Sequence, residues 1–145
     1  MITFAKNNSP KLLHFIAVSL LIAGLSACSE PPYTNLSNDE LQVLLKSDTP
    51  IYDVRRPEEW RQTGVVEDSK LLTFVDASGR LKPNFMERFT AEIGQHDPVI
   101  LICRTGNRTG TLARYLVEKL GYTQVFNVRN GITHWISENR PVKRL

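Results

Sequence analysis

The residues with the clearest chemical content are Cys103 and the five that follow it, Arg104-Thr105-Gly106-Asn107-Arg108. Cys103 ends the apolar run Pro98-Val99-Ile100-Leu101-Ile102, and the loop leads into the helical spacing of Leu112, Tyr115, Leu116 and Leu120. A thiol at a strand's end, before a glycine-bearing turn and a helix start, lies where backbone N–H groups converge. Converging amides and flanking cations are the setting in which cysteines act as nucleophiles. The alternative is a cysteine packed as a small hydrophobe. Position favours the nucleophile, because the residue is expected at the carboxyl edge of a parallel sheet, where open α/β folds place ligands.

The chain has 145 residues, two cysteines and a net charge of +3, which suits one domain with one core. Lys6 and Lys11 precede an apolar run from Phe15 to Leu25 that is too short to span a bilayer comfortably. Charged flank, apolar run and small residues in this order form a signal-peptide profile. The alternative makes residues 15–25 a short core helix and Cys28 an incidental thiol. The run closes on Leu25-Ser26-Ala27-Cys28, which resembles the bacterial lipobox. That resemblance implies cleavage after residue 27 and acylation of Cys28, and two or more acyl chains suffice for stable anchoring. The expected protein is therefore tethered to the bacterial cell envelope and faces the periplasm. Ser29 stands where an aspartate often signals inner-membrane retention, so an outer-membrane address is favoured.

Loss of residues 1–27 removes two lysines and no acids from 18 basic and 15 acidic residues, leaving +1. That balance gives no reason to expect a nucleic-acid partner. With Cys28 acylated, Cys103 has no intrachain partner in an oxidising compartment. Arg140, Lys143 and Arg144 read as a solvated basic tail.

Residues 28–36 carry Pro31 and Pro32 among small polar groups and read as the lipidated N-terminus and a tether. The domain is expected over residues 37–145. Ser37 and Glu40 have capping-box spacing, followed by Leu41, Leu44 and Leu45 on one side of a helix. Ile51-Tyr52-Asp53-Val54 reads as a strand, and Pro57 suits the first turn of a helix through Trp60. Leu71, Leu72, Phe74 and Val75 suggest another strand. A helix over 83–93 would bury Phe85, Met86, Phe89 and Ile93. Val99 to Ile102 is the most apolar strand and is expected at the centre. The next helix stops at Gly121, Val125 to Val128 forms a strand, and a last helix runs from Gly131 to about Glu138. Strands alternating with helices imply an α/β fold with a mostly parallel sheet covered on both faces.

Three segments together resemble a rhodanese domain. Residues 53–60, Asp53-Val54-Arg55-Arg56-Pro57-Glu58-Glu59-Trp60, are similar to that family's D-V-R-x-x-x-E-aromatic opening. Cys103 to Arg108 is similar to its C-x-x-G-x-R active loop, and Gly131-Ile132-Thr133-His134-Trp135 to its closing G-x-x-x-W. Two departures stand out. The family's G-H-I-x-G-A stretch is replaced by Gly64-Val65-Val66-Glu67-Asp68-Ser69, and its closing double glycine by Asn130-Gly131. The resemblance implies a rhodanese-like three-layer fold with five strands. It further implies passage of sulfane sulfur from a thiosulfate- or polysulfide-like donor through a Cys103 persulfide to a thiol or cyanide acceptor, with no cofactor and with an envelope protein as an alternative acceptor. In this reading the amides of residues 104–108 cradle the sulfur, Arg104 holds an anionic donor and Thr105 adds a hydroxyl contact. Arg108 turns inward to Glu59 or Asp53 as loop support. Arg55 is grouped with Asp53 and Glu59 as loop support, with its side chain left between donor steering and a solvated surface charge. Trp60 and Trp135 are expected to cap the core.

Other chemistries fit less well. Cysteine phosphatases and arsenate reductases use C-x5-R, whereas this loop is C-x4-R and suits one terminal sulfur better than a tetrahedral oxyanion. Gly106 and Gly110 lack the spacing and lysine of a phosphate-binding Walker loop. His96 and His134 read as surface residues without a supporting motif, and two separated cysteines make no metal cluster. A non-catalytic adaptor and a persulfide carrier remain as rivals of another class.

Overall fold

The computed structural model describes residues 30–145, so the readings of residues 1–27 and of Cys28 lie outside the described residues. Among the described residues five strands, β1 (Thr34–Leu36), β2 (Ile51–Asp53), β3 (Lys70–Leu71), β4 (Val99–Ile102) and β5 (Val125–Val128), alternate with five helices. The helices are α1 (Asn38–Leu45), α2 (Pro57–Thr63), α3 (Phe85–Glu92), α4 (Asn107–Leu120) and α5 (Gly131–Ser137). The strands form one sheet in the order β1-β5-β4-β2-β3, and every pairing is parallel. The fold is the expected rhodanese-like α/β arrangement.

Strand β4 is central and buried at all four positions. Its period-2 geometry sends Val99 and Leu101 to one face and Ile100 and Ile102 to the other. The first pair joins Phe85, Phe89, Leu112 and Leu116 in one apolar layer. The second joins Leu41, Val128, Ile132 and Trp135 in the opposite layer. Cys103 continues the parity of Val99 and Leu101 and falls in the first layer, beside α4. After β4 the chain proceeds to β5 on one side, and after β2 to β3 on the other. The carboxyl ends of β2 and β4 therefore flank the point where the connections diverge, the crevice in which such sheets bind ligands.

Several expectations need correction. Residues 34–36 are not tether: they pair with β5 in register Thr34 with Phe126 to Leu36 with Val128. The strand expected at 71–75 shortens to Lys70–Leu71. Beyond it the Thr73 hydroxyl bonds the Arg55 carbonyl, and a turn closed by Asp76 brings Val75 against Leu81. Helix α2 continues past Trp60 to Thr63 and ends at Gly64, whose φ of 79° few other residues tolerate. The basic tail is not free either. Arg140 pairs with Asp39 and Glu138 and lies over the Trp135 ring, the Lys143 backbone pairs with Val65, and Arg144 bonds the Gln62 carbonyl. The substituted 64–69 segment is held by that pairing, with Val65 and Val66 buried.

Candidate active site

Two glycines shape the loop after β4. Gly106 caps α4 with a φ of 88°, and a Cβ there would collide with the Arg129 carbonyl. Gly131 has a φ of 60°, and its Cβ would strike the Arg104 carbonyl and lie 2.5 Å from the Thr105 nitrogen. With no side chain in the way, the first turn of α5 docks on the loop. Ile132 N donates to the Cys103 carbonyl at 2.9 Å, and Thr133 N to the Arg104 carbonyl at 3.1 Å. Asn130 stays on the ordinary side of the backbone map at a φ of −109°, so the asparagine in the closing motif needs no left-handed tolerance.

The Cys103 side chain lies at the bottom of this loop and is 1% exposed. The Gly106 amide donates to Sγ at 3.2 Å. Of the amides of residues 104–108 it is the one within hydrogen-bond reach of Sγ, fewer than the cradle expected from sequence. Arg104, Thr105 and Asn107 are exposed. The Arg104 guanidinium has no hydrogen-bond or salt-bridge partner among the described residues and is available to an anion.

Arg108 turns inward and chooses Glu59. Nη1 donates to Oε2 at 2.8 Å and Nη2 to Oε1 at 2.6 Å, a bidentate fork. Glu59 also accepts the Arg56 amide at 3.1 Å, which ties the loop to the start of α2. Burial alone would raise the Glu59 carboxyl. The Arg108 fork and the Arg56 amide outweigh it and hold the group down at about 2.

Asp53 and Arg55 form a second, deeper pair, 0% and 1% exposed. Arg55 donates from Nε and Nη2 to both Asp53 oxygens, from Nη1 to Thr63 Oγ1 at 2.7 Å, and from Nη2 to the Gly64 carbonyl at 2.8 Å. Trp60 Nε1 donates to Asp53 Oδ1 at 3.0 Å. Both readings left open for Arg55 are thereby overturned, since a guanidinium closed in on every side neither steers a donor nor faces solvent. It joins the end of β2 to the C-terminal end of α2. Trp135 is buried and donates to the Pro141 carbonyl, and His134 lies exposed.

One residue at the thiol escaped the sequence reading. Thr109, fully buried on the first turn of α4, places Oγ1 3.3 Å from Cys103 Sγ. Its signal was the i,i+3 spacing from Gly106, which turns a first-turn side chain back over the loop. No group of three or more His, Cys, Asp or Glu among the described residues could hold a metal ion.

Residues 37–138 match the rhodanese-like domain family. Rhodanese-like domain-containing protein 17 of Arabidopsis thaliana is 28% identical over 137 residues, covering 91% of this chain and 86% of that protein. Thiosulfate sulfurtransferase 16, chloroplastic, of the same plant is 32% identical over 94 residues, 63% of this chain and 77% of its own. A crystal structure of a rhodanese-related protein from Thermoplasma volcanium is 25% identical, covers 77% of this chain and 98% of that one, and superposes with a TM-score of 0.59. With the family matched over most of its length, and the opening, loop and closing motifs gathered around one buried thiol, this chain belongs to the rhodanese-like family.

Proposed function

We propose that the protein is a sulfurtransferase in which Cys103 carries the sulfur. The observation that bears most weight is the closed C-x4-R loop, with Sγ on the Gly106 amide and the last loop residue pinned to Glu59. A C-x4-R loop is one residue shorter than the C-x5-R loops that hold a tetrahedral oxyanion, which suits a single terminal sulfur. The family and the sulfurtransferase relative support the same chemistry.

In the first half-reaction the Cys103 thiolate attacks the sulfane sulfur of a thiosulfate-class donor. The donor's S–S bond breaks, its electron pair leaves with sulfite, and Cys103 becomes a persulfide. In the second, a thiolate or cyanide attacks the outer sulfur and the Cys103 thiolate departs. The outer sulfur stands about 2 Å beyond Sγ, which matters because Sγ itself is almost wholly covered. Exposed Arg104 binds the anionic donor, while Glu59 and Arg108 hold the loop's shape.

Thiocyanate formation from thiosulfate and cyanide tests the reading. The full chain should turn over and Cys103→Ser should not; no transfer from any of several sulfane donors would sink it. Slow release of a sulfur already loaded would instead make the protein a persulfide carrier for a thiol or an envelope protein, a reading favoured by the burial of Sγ.

The N-terminal motif supports a lipoprotein acylated at Cys28, anchored in the bacterial envelope with the domain facing the periplasm and with outer-membrane placement favoured by Ser29. Cys28→Ser should release the protein from the membrane fraction. Retention of that variant would remove the anchor from the proposal.

A further inference from the structure

The hydroxyl of Thr109 has one proton and two acceptors in reach. It lies 3.3 Å from Cys103 Sγ and 3.1 Å from the Gly106 carbonyl. When Cys103 is a thiol, every group is satisfied in one direction: S–H donates to Oγ1, and O–H donates to the Gly106 carbonyl. When the sulfur is an anion it has no proton to give, and the same geometry is satisfied by turning the hydroxyl so that O–H donates to Sγ. The Gly106 carbonyl is not stranded by that turn, because the Gly110 amide also donates to it at 2.9 Å. The switch therefore leaves no buried acceptor without a donor.

The geometry assigns to Thr109 a catalytic role: a hydroxyl switch that gives Cys103 its second hydrogen bond, beside the Gly106 amide, whenever that sulfur carries negative charge. This rests on the sulfur-transfer reading above, in which Cys103 is an anion twice, as the attacking nucleophile and as the leaving group of the outgoing step. The hydroxyl turns about its Cβ–Oγ bond. No proton is transferred, and neither His96 nor His134 enters the account. Thr109 is fully buried, so water does not replace its hydroxyl at the sulfur. Its γ-methyl lies on the same side chain, and the test must separate the two groups.

Alkylation of Cys103 by iodoacetamide reads the thiolate without any sulfur donor, so its outcome does not depend on whether the protein transfers sulfur. The full chain is used, with the Cys103 peptide followed by mass spectrometry so that Cys28 does not contribute. Thr109→Val keeps the methyl and lacks the hydroxyl; Thr109→Ser keeps the hydroxyl and lacks the methyl. Losing one hydrogen bond to a charged atom should slow alkylation at pH 7 roughly tenfold in Thr109→Val and displace its pH profile upward. Thr109→Ser should alkylate as the parent does. The opposite pattern, Thr109→Val normal and Thr109→Ser slow, would overturn the switch and leave Thr109 a packing residue. If Thr109→Val does not fold, Thr109→Ala against Thr109→Ser repeats the comparison of the hydroxyl, and equal rates in those two would overturn it as well.

Discussion

Two carboxylate–arginine pairs meet at the same helix, α2, and they differ in depth. Asp53–Arg55 is closed to solvent, while Glu59–Arg108 keeps 13% and 22% of its side chains exposed. The deep pair has its hydrogen bonds spent on framework: Trp60, the C-terminal end of α2 and the start of the 64–69 connection. The shallower pair spends its fork on the candidate loop. Chemically alike groups thus divide the work, one fixing where the crevice is and the other fixing the shape of what lies in it.

Breaking the deep pair should have the largest effect. Arg55→Met leaves Asp53 buried and uncompensated, which costs about 3–5 kcal/mol, and denaturant unfolding should show that loss. A change under about 1 kcal/mol would mean that the frame lies elsewhere. Glu59→Gln should act on the loop instead, lowering turnover roughly tenfold, more than donor affinity, with a smaller loss of stability. Equal turnover in the variant would contradict the division of roles.

Acid should weaken the shallower pair in a graded way. The folded Glu59 carboxyl ionises well below its ordinary 4.5, at about 2. Its pairing therefore stabilises the fold fully above pH 4.5, and that share fades as the pH falls towards about 2. The gap in melting temperature between the parent and Glu59→Gln should narrow across that window. A constant gap would show that ionisation of Glu59 is not what holds the loop. The smallest effect is expected from Arg104→Ala, which should raise the KM for thiosulfate about two- to fivefold with the melting temperature unchanged.

How far the sequence could be read depended on whether the signal was local. Strand β5, the Ser37–Glu40 capping box and the Gly121 stop stood where pattern and cap chemistry put them, because each depends on a few adjacent residues. Thr34–Leu36 carries no alternation of its own; it is a strand because β5 offers it an edge. Arg55 was misjudged because an arginine is seldom fully buried, and its cage of acceptors comes from residues up to nine positions away. Arg140 was taken for a loose terminus, yet its partner Asp39 lies 101 residues earlier. At the loop, residue types and order were legible from Cys103 to Arg108. The hydroxyl of Thr109 went unread although its i,i+3 spacing from Gly106 was in view, since its contact with sulfur depends on how the loop turns Sγ toward the first turn of α4.

The central claim is that Cys103 accepts a sulfur atom. Incubating the full chain with thiosulfate and mapping its peptides by mass spectrometry should show about 32 Da added to the Cys103 peptide, reversed by a thiol and lost in Cys103→Ser. An unmodified Cys103 peptide after exposure to thiosulfate and to polysulfide would contradict it.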